Sequence, residues 1–162
     1  MKSLSKILFA LYSLLLLWLV LFKLSFDIPS VLDIHIRSLN LIPFAGLSRG
    51  RTQMIANIIV FIPLGLLLSV NLKRTNFWRK LAYVVLFSVA VEALQFVLAI
   101  GITDITDVIM NTLGGFIGMK IYGLCNKFLD EEKLDRFVVV AGTILLVALI
   151  LLRLFVLRVR YH

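Results

Sequence analysis

Few residues of this chain could carry out chemistry, because long apolar runs make up most of it. The most informative is Glu92, a carboxyl group within the apolar run 81–100. Gln95 follows three residues later, so on a helix both side chains lie on one face. A carboxylate can transfer a proton or accept hydrogen bonds from a ligand. An ionisable group inside an apolar span is expected to be functional, since burying it is costly.

Other polar residues are expected at the same depth as Glu92. Asn57 begins the run 55–70, and Asn111 follows two aspartates at the start of the run 108–124. Two arginines precede the first of these runs, and guanidinium groups pair with phosphate or carboxylate. We therefore predict an outward-facing ligand-binding pocket whose members are Asn57, Glu92, Gln95, Asp104, Asp107, Asn111, Arg49 and Arg51.

Each of these residues also has a structural interpretation. Asn57 and Asn111 could cap helix starts, and the aspartates could face the positive ends of helix dipoles. Glu92 could be a neutral packing residue, and the arginines could contact lipid phosphates.

A catalytic alternative makes Glu92 a general acid or base. Asp104 and Asp107, three residues apart, would then hold a divalent cation against a lipid phosphate. The sequence contains no His/Cys metal spacing and no serine or cysteine nucleophile near a base. We predict no cofactor.

The composition determines which elements must position these residues. Of the 162 residues, 61% are hydrophobic and 16% charged, and the mean hydropathy is +1.04; soluble proteins have roughly 45–50% apolar and 25% charged residues. The apolar runs approach the roughly 20 residues that a spanning helix needs. We predict an all-α, multi-pass transmembrane bundle, one domain over 1–162, with about five spans at 7–22, 55–70, 81–100, 108–124 and 137–157.

The distribution of charge predicts the orientation. The loop 71–80 carries four basic residues and no acid, whereas 101–107 carries two acids and no base. Basic residues favour the cytoplasmic side, so we expect the N-terminus inside and the C-terminus outside. The net charge of +8 is then explained by basic residues that flank the spans, set the topology and contact anionic lipid. Nucleic acid is not an expected partner.

Three features concern the shape of the bundle. The connection 24–54 is expected to be partly re-entrant or interfacial, since 39–44 is apolar and Pro43 prevents a simple helix. Gly114 and Gly118 are four residues apart, which lets another helix approach closely, from this chain or from a partner protein. Pro63 and Gly65 are interpreted as a kink or loosened turn.

Several strings resemble the VanZ family in order and spacing. They are Asn-Leu-Ile-Pro-Phe at 40–44, Asn-Ile-Ile-Val-Phe-Ile-Pro-Leu-Gly at 57–65, Glu-Ala-Leu-Gln at 92–95 and Asp-Ile-Thr-Asp-Val-Ile-Met-Asn-Thr-Leu-Gly-Gly at 104–115. The resemblance covers the whole chain and is greatest to family members of glycopeptide-resistance clusters. Many members carry an arginine where this chain has Ile100 and Gly101, so Arg49 or Arg51 could substitute for it.

The resemblance implies a multi-pass protein of a Gram-positive cell membrane that gives low-level resistance to teicoplanin and related lipoglycopeptide antibiotics, without a settled reaction. The leading hypothesis is that the pocket binds the lipoglycopeptide or a lipid-linked cell-wall precursor and so reduces drug binding at the surface. The alternatives are a membrane-embedded enzyme acting on a lipid-linked phosphate or the drug, and a non-catalytic modulator of another cell-envelope protein.

Overall fold

The computed structural model describes residues 2–22, 36–44 and 47–160, without the side chains at 36–37, 47–50, 101–102, 153 and 156–160. Five helices and two short strands make up this part of the chain, in the order α1 (Lys2–Leu21), β1 (Ile36–Asn40), α2 (Leu47–Asn71), α3 (Phe77–Leu98), β2 (Ile100–Asp104), α4 (Ile105–Cys125) and α5 (Glu131–Arg160). The prediction of an all-helical fold is confirmed.

All five described helices are long and apolar enough to cross a membrane. A helix of about 20 residues is about 30 Å long at 1.5 Å per residue, which matches the hydrocarbon thickness of a bilayer. The third predicted span was wrong at its end, because α3 stops at Leu98 and not at Ile100. Ala99 adopts the left-handed conformation (φ 56°), and its N–H caps the helix by donating to the carbonyls of Gln95 and Phe96.

The segment after α3 was expected to be a loop but is strand β2. It pairs in parallel with β1 over five residues, from Ile36 opposite Ile100 to Asn40 opposite Asp104. Each strand precedes a helix, β1 before α2 and β2 before α4. The Thr103 hydroxyl donates to the Glu92 carbonyl at 3.2 Å, so β2 folds back along the last turns of α3.

The predicted re-entrant or interfacial connection is described only in part. Residues 23–35 and 45–46 lie outside the described residues. In 36–44, β1 ends beside Asp104, and the apolar side chains of Leu39, Leu41 and Ile42 are exposed.

The core of the bundle is apolar and contains buried side chains from all five described helices. Its most buried large side chains include Tyr12, Leu16, Phe61, Leu67, Val84 and Val91. The outward faces also carry large apolar side chains, among them Leu86, Phe137 and Ile144. Apolar residues on both the inside and the outside are typical of a bundle whose solvent is lipid.

Glycines bring α2 and α4 into direct backbone contact. A Cβ at Gly118 would lie 2.1 Å from the Ile62 carbonyl oxygen, and one at Gly114 would lie 2.3 Å from that of Ile58. The packing interpretation of these two glycines is thus confirmed. The contact is made within the chain, so a partner protein would have to bind another face.

Pro63 and Gly65 lie within one continuous helix, and Gly65 has a packing role. Helix α2 runs as one element from Leu47 to Asn71, with Pro63 inside it. Gly65 is a packing position, because a Cβ there would lie 2.2 Å from the Gly115 carbonyl oxygen. Its partner is a glycine on another helix, which the spacing within α2 does not reveal.

We expect Gly118→Ala to lower the stability of the protein by about 1–3 kcal/mol, the usual cost of overpacking, because the new methyl group must push α2 away. Gly123→Ala in the same helix is the matched control, since a Cβ there meets nothing within 4 Å. Thermal unfolding in detergent measures both. Equal midpoints for the two variants would contradict the direct α2–α4 contact.

Candidate functional site

Glu92 is the acid at the centre of the candidate site. It is 3% exposed and lies six residues before the end of α3, about 9 Å along the axis. Its Oε2 accepts a hydrogen bond from the backbone N–H of Asp104 at 3.0 Å. The carboxylate therefore binds the backbone where β2 ends and α4 begins, where the positive end of the helix dipole favours an anion.

Asp104 caps α4 and ties β1 to it. Its Oδ1 accepts from the Thr106 N–H at 2.8 Å, and its Oδ2 accepts from the Asn40 side-chain amide at 3.0 Å. The backbone N–H of Phe44 donates to the Thr106 hydroxyl at 3.0 Å. Asp104 is thus the N-cap of α4, at the positive end of the helix dipole that its structural interpretation expected, although each carboxylate oxygen has a further lone pair that can accept from a ligand.

Asp107 joins α4 to α2. It lies in the first turn of α4 and is buried. Its Oδ1 accepts from the Asn57 amide at 2.8 Å, and its Oδ2 accepts from the Gln53 amide at 3.2 Å. Gln53 and Asn57 are four residues apart, so one face of α2 presents two amide donors to one acid.

Asn111 continues the polar face of α4 one turn further into the bundle. Its amide donates to the Ser88 hydroxyl on α3 at 2.8 Å, and both residues are fully buried. The capping interpretation of Asn57 and Asn111 was wrong. Asn57 is ten residues into α2, and Asn111 is six residues into α4.

These contacts define what we call the polar cluster: Asn40, Gln53, Asn57, Ser88, Glu92, Asp104, Asp107 and Asn111. It contains the three acids and both asparagines predicted for the site, brought together from α2, α3, α4 and the end of β2. Sequence reasoning missed Gln53 and Ser88 as members, although each lies four residues before a predicted one. It also left out Asn40, which stands in one of the family strings.

The remaining predicted residues lie elsewhere or are not described. Gln95 shares the face of Glu92 but points to α1, where its amide donates to the carbonyls of Val20 and Leu21 at 2.9 and 3.1 Å. Arg51 is exposed. The side chain of Arg49 lies outside the described part of the chain.

The polar cluster is rich in acceptors. Its described amide N–H groups bind the acids or Ser88, while Asn111 Oδ1 is buried without a hydrogen-bond partner among the described residues, as is Thr112 Oγ1 on the next residue. An unsatisfied buried polar atom costs about 1–3 kcal/mol. A hydroxyl, amide N–H or ammonium donor beside these two oxygens would satisfy them.

The cation site of the catalytic alternative receives little support from these contacts. Asp104 binds Asn40 and the start of α4, whereas Asp107 binds α2. In the described part of the chain, no group of three or more His, Cys, Asp or Glu side chains has a metal-binding arrangement.

Comparison with known proteins places the chain in a family. The sequence model of the VanZ/LLP1 family matches residues 9–126, a stretch that contains the whole polar cluster. Protein VanZ of Enterococcus faecium is 52% identical over 160 residues, which cover 99% of this chain and 98% of that protein. No solved structure matches the chain significantly. From the family match and this near-complete relative we conclude that the chain belongs to the VanZ family.

Proposed function

We propose that this protein gives low-level resistance to teicoplanin and related lipoglycopeptides by binding an amphiphile at the polar cluster. The amphiphile is the lipid-tailed antibiotic or a lipid-linked cell-wall precursor, and its capture reduces the drug bound at the cell surface. The observation that carries this proposal is the gathering of Glu92, Asp104 and Asp107 at one end of an apolar bundle. Burying an ionised group costs up to about 2.5–3.5 kcal/mol at the centre of a spanning helix on insertion scales, so buried acids are usually retained for a function.

The chemistry of the cluster favours a head group with several donors. Three carboxylates supply acceptor oxygens, and the buried Asn111 Oδ1, which has no hydrogen-bond partner among the described residues, is a further acceptor. A sugar or peptide head group supplies hydroxyl and amide N–H groups. Arg51 is exposed near the start of α2. Its guanidinium group adds a cation that can pair with a phosphate or carboxylate on the same ligand.

The surface beside the cluster favours a ligand with an apolar tail. Leu41 and Ile42 are 65% and 70% exposed. They follow Asn40, whose amide binds Asp104, so an apolar surface begins directly at the acids. An amphiphile could place its head at the carboxylates and its tail along these side chains.

The proposal requires the polar cluster to face away from the cytoplasm. The basic loop 71–80 lies at the opposite end of α2, and basic residues favour the cytoplasmic side. The N-terminus is then inside, and the cluster opens toward the outer leaflet, where the drug arrives.

Cysteine labelling tests this orientation. With Cys125 replaced by alanine, we expect a membrane-impermeant maleimide to label Thr52→Cys in intact cells and Glu132→Cys only after permeabilisation. Both positions are exposed, at opposite ends of the bundle. The reverse pattern would show that the cluster faces the cytoplasm and would exclude capture of drug from outside.

Glu92→Gln tests the carboxylate at unchanged membrane abundance. A hydrogen bond to a charged group contributes about 1.5–3 kcal/mol, so the apparent affinity should fall about tenfold or more, and resistance to teicoplanin should return to that of cells without the protein. Glu132→Gln is the control, because that acid is exposed at the other end. A fully resistant Glu92→Gln strain would remove Glu92 from the proposed site.

Binding and catalysis are separated with purified protein and labelled lipid II or teicoplanin, with and without a chelator. We expect saturable retention that the chelator leaves unchanged, because the cluster holds its ligand through hydrogen bonds. Chromatography of the released ligand should show only the starting compound. A new covalent product would contradict the binding proposal and support the enzyme.

A further inference from the structure

A polar cavity lies at the opposite end of the bundle from the polar cluster. Its volume is about 290 Å³, and water occupies about 30 Å³ per molecule in the liquid, so a group of several heavy atoms fits. Residues from α2, α4, α5, the α2–α3 turn and the start of α3 line it, and we call it the lysine cavity: Ser69, Lys73, Phe77, Lys80, Met119, Tyr122, Gly123, Asn126 and Glu131.

Two carboxylates of this region share the single ammonium group of Lys73. Its ammonium forms ion pairs with Glu131 and Asp135, and Asp135 also accepts from the Tyr122 hydroxyl at 2.7 Å. Partial burial by itself lowers the pKa of Lys73, but the hydrogen bonds to Asp135 and Glu131 hold that pKa above its usual value. Lys73 therefore stays charged, and its charge is paired with carboxylates of the protein itself.

Two further cations near the cavity have no carboxylate. Lys80 lines the cavity and is partly buried. Lys120 lies 4.8 Å from the centre of the Phe77 ring, which also lines the cavity. Among the side chains that the structure describes, none forms an ion pair with either lysine. Together with Lys73, these two lysines place three positive charges around the cavity, against the two carboxylates of Glu131 and Asp135.

We propose that the lysine cavity binds the phosphate of an anionic membrane lipid, with Lys80 as its principal cation. Lys80 and the Asn126 amide supply N–H donors for phosphate oxygens, while Phe77 and Met119 supply apolar walls for the glycerol and upper acyl chain. Basic pockets between spanning helices recognise lipid head groups in this way. This site is separate from the polar cluster and does not depend on the proposed resistance function.

The chain contains its own reporter for this site. Trp78 lies beside Phe77, with ring centres 5.5 Å apart, and is exposed. The sequence has two tryptophans, so Trp18→Phe leaves Trp78 as the single fluorophore. Lipids brominated on the upper acyl chain quench a nearby tryptophan, and comparing two head groups gives their relative affinity.

The test uses the full chain in vesicles of brominated phosphatidylglycerol or brominated phosphatidylcholine. In the Trp18→Phe protein we expect stronger quenching by phosphatidylglycerol. Lys80→Gln should reduce this preference about fivefold, a typical effect of one lysine near an anionic surface. Lys80→Arg keeps the charge and should retain the preference.

Lys127→Gln is the matched control, since Lys127 is an exposed lysine at the same end that does not line the cavity. An equal loss in Lys127→Gln would show general surface attraction and would overturn the site. Equal quenching by the two lipids in the Trp18→Phe protein would also overturn the proposed site, and this result needs no variant at Lys80. Loss of the preference when inorganic phosphate replaces chloride at equal ionic strength would show a free-phosphate site in place of a lipid site.

Discussion

The main constraint on this structure is that backbone N–H and C=O groups need hydrogen-bond partners wherever the chain is not helical. In a bundle that faces lipid, these partners must come from the protein itself. Hydrocarbon offers no partner for a free N–H or C=O group. Here β2 turns back beside α3, and Glu92 accepts the backbone N–H of Asp104 while its own carbonyl accepts from Thr103. The Glu92 carboxylate thus satisfies a backbone N–H group at the turn from α3 into α4, next to the Asp104 cap that begins α4.

The two aspartates likewise accept hydrogen bonds, and these bonds connect neighbouring elements. Asp104 binds the first turn of α4 and the end of β1, and Asp107 binds two amides of α2. Because β1 and β2 are parallel and each precedes a helix, α2 and α4 begin at the same end of the bundle. Glycine contacts then bring the backbones of these two helices together. The acids are therefore part of the scaffold as well as of the proposed site, so a test of function must keep folding and binding apart.

The sequence predicts the number of helices and the convergence of polar residues, because both follow from local patterns. Apolar runs mark the spans, and Glu92 stands out within one of them. The partners could not be predicted, since the register between helices is not encoded locally. Gln53 and Ser88 are ordinary polar residues until α2, α3 and α4 are placed, and Gly65 has its role only opposite Gly115. The strands are five residues long and their partners lie about 60 residues apart, so 101–107 was interpreted as a loop.

The rigid contact between α2 and α4 has a consequence for recognition. Gly65 meets Gly115 eight residues along α2 from Asn57, about 12 Å from the amide that binds Asp107. Because these backbones touch, the two helices cannot slide without breaking that contact, and the Asn57–Asp107 pair keeps its position. A site held this firmly has little ordering cost on binding. In the site that we propose, selectivity then depends on which ligand donors reach the carboxylate oxygens of Glu92 and Asp104.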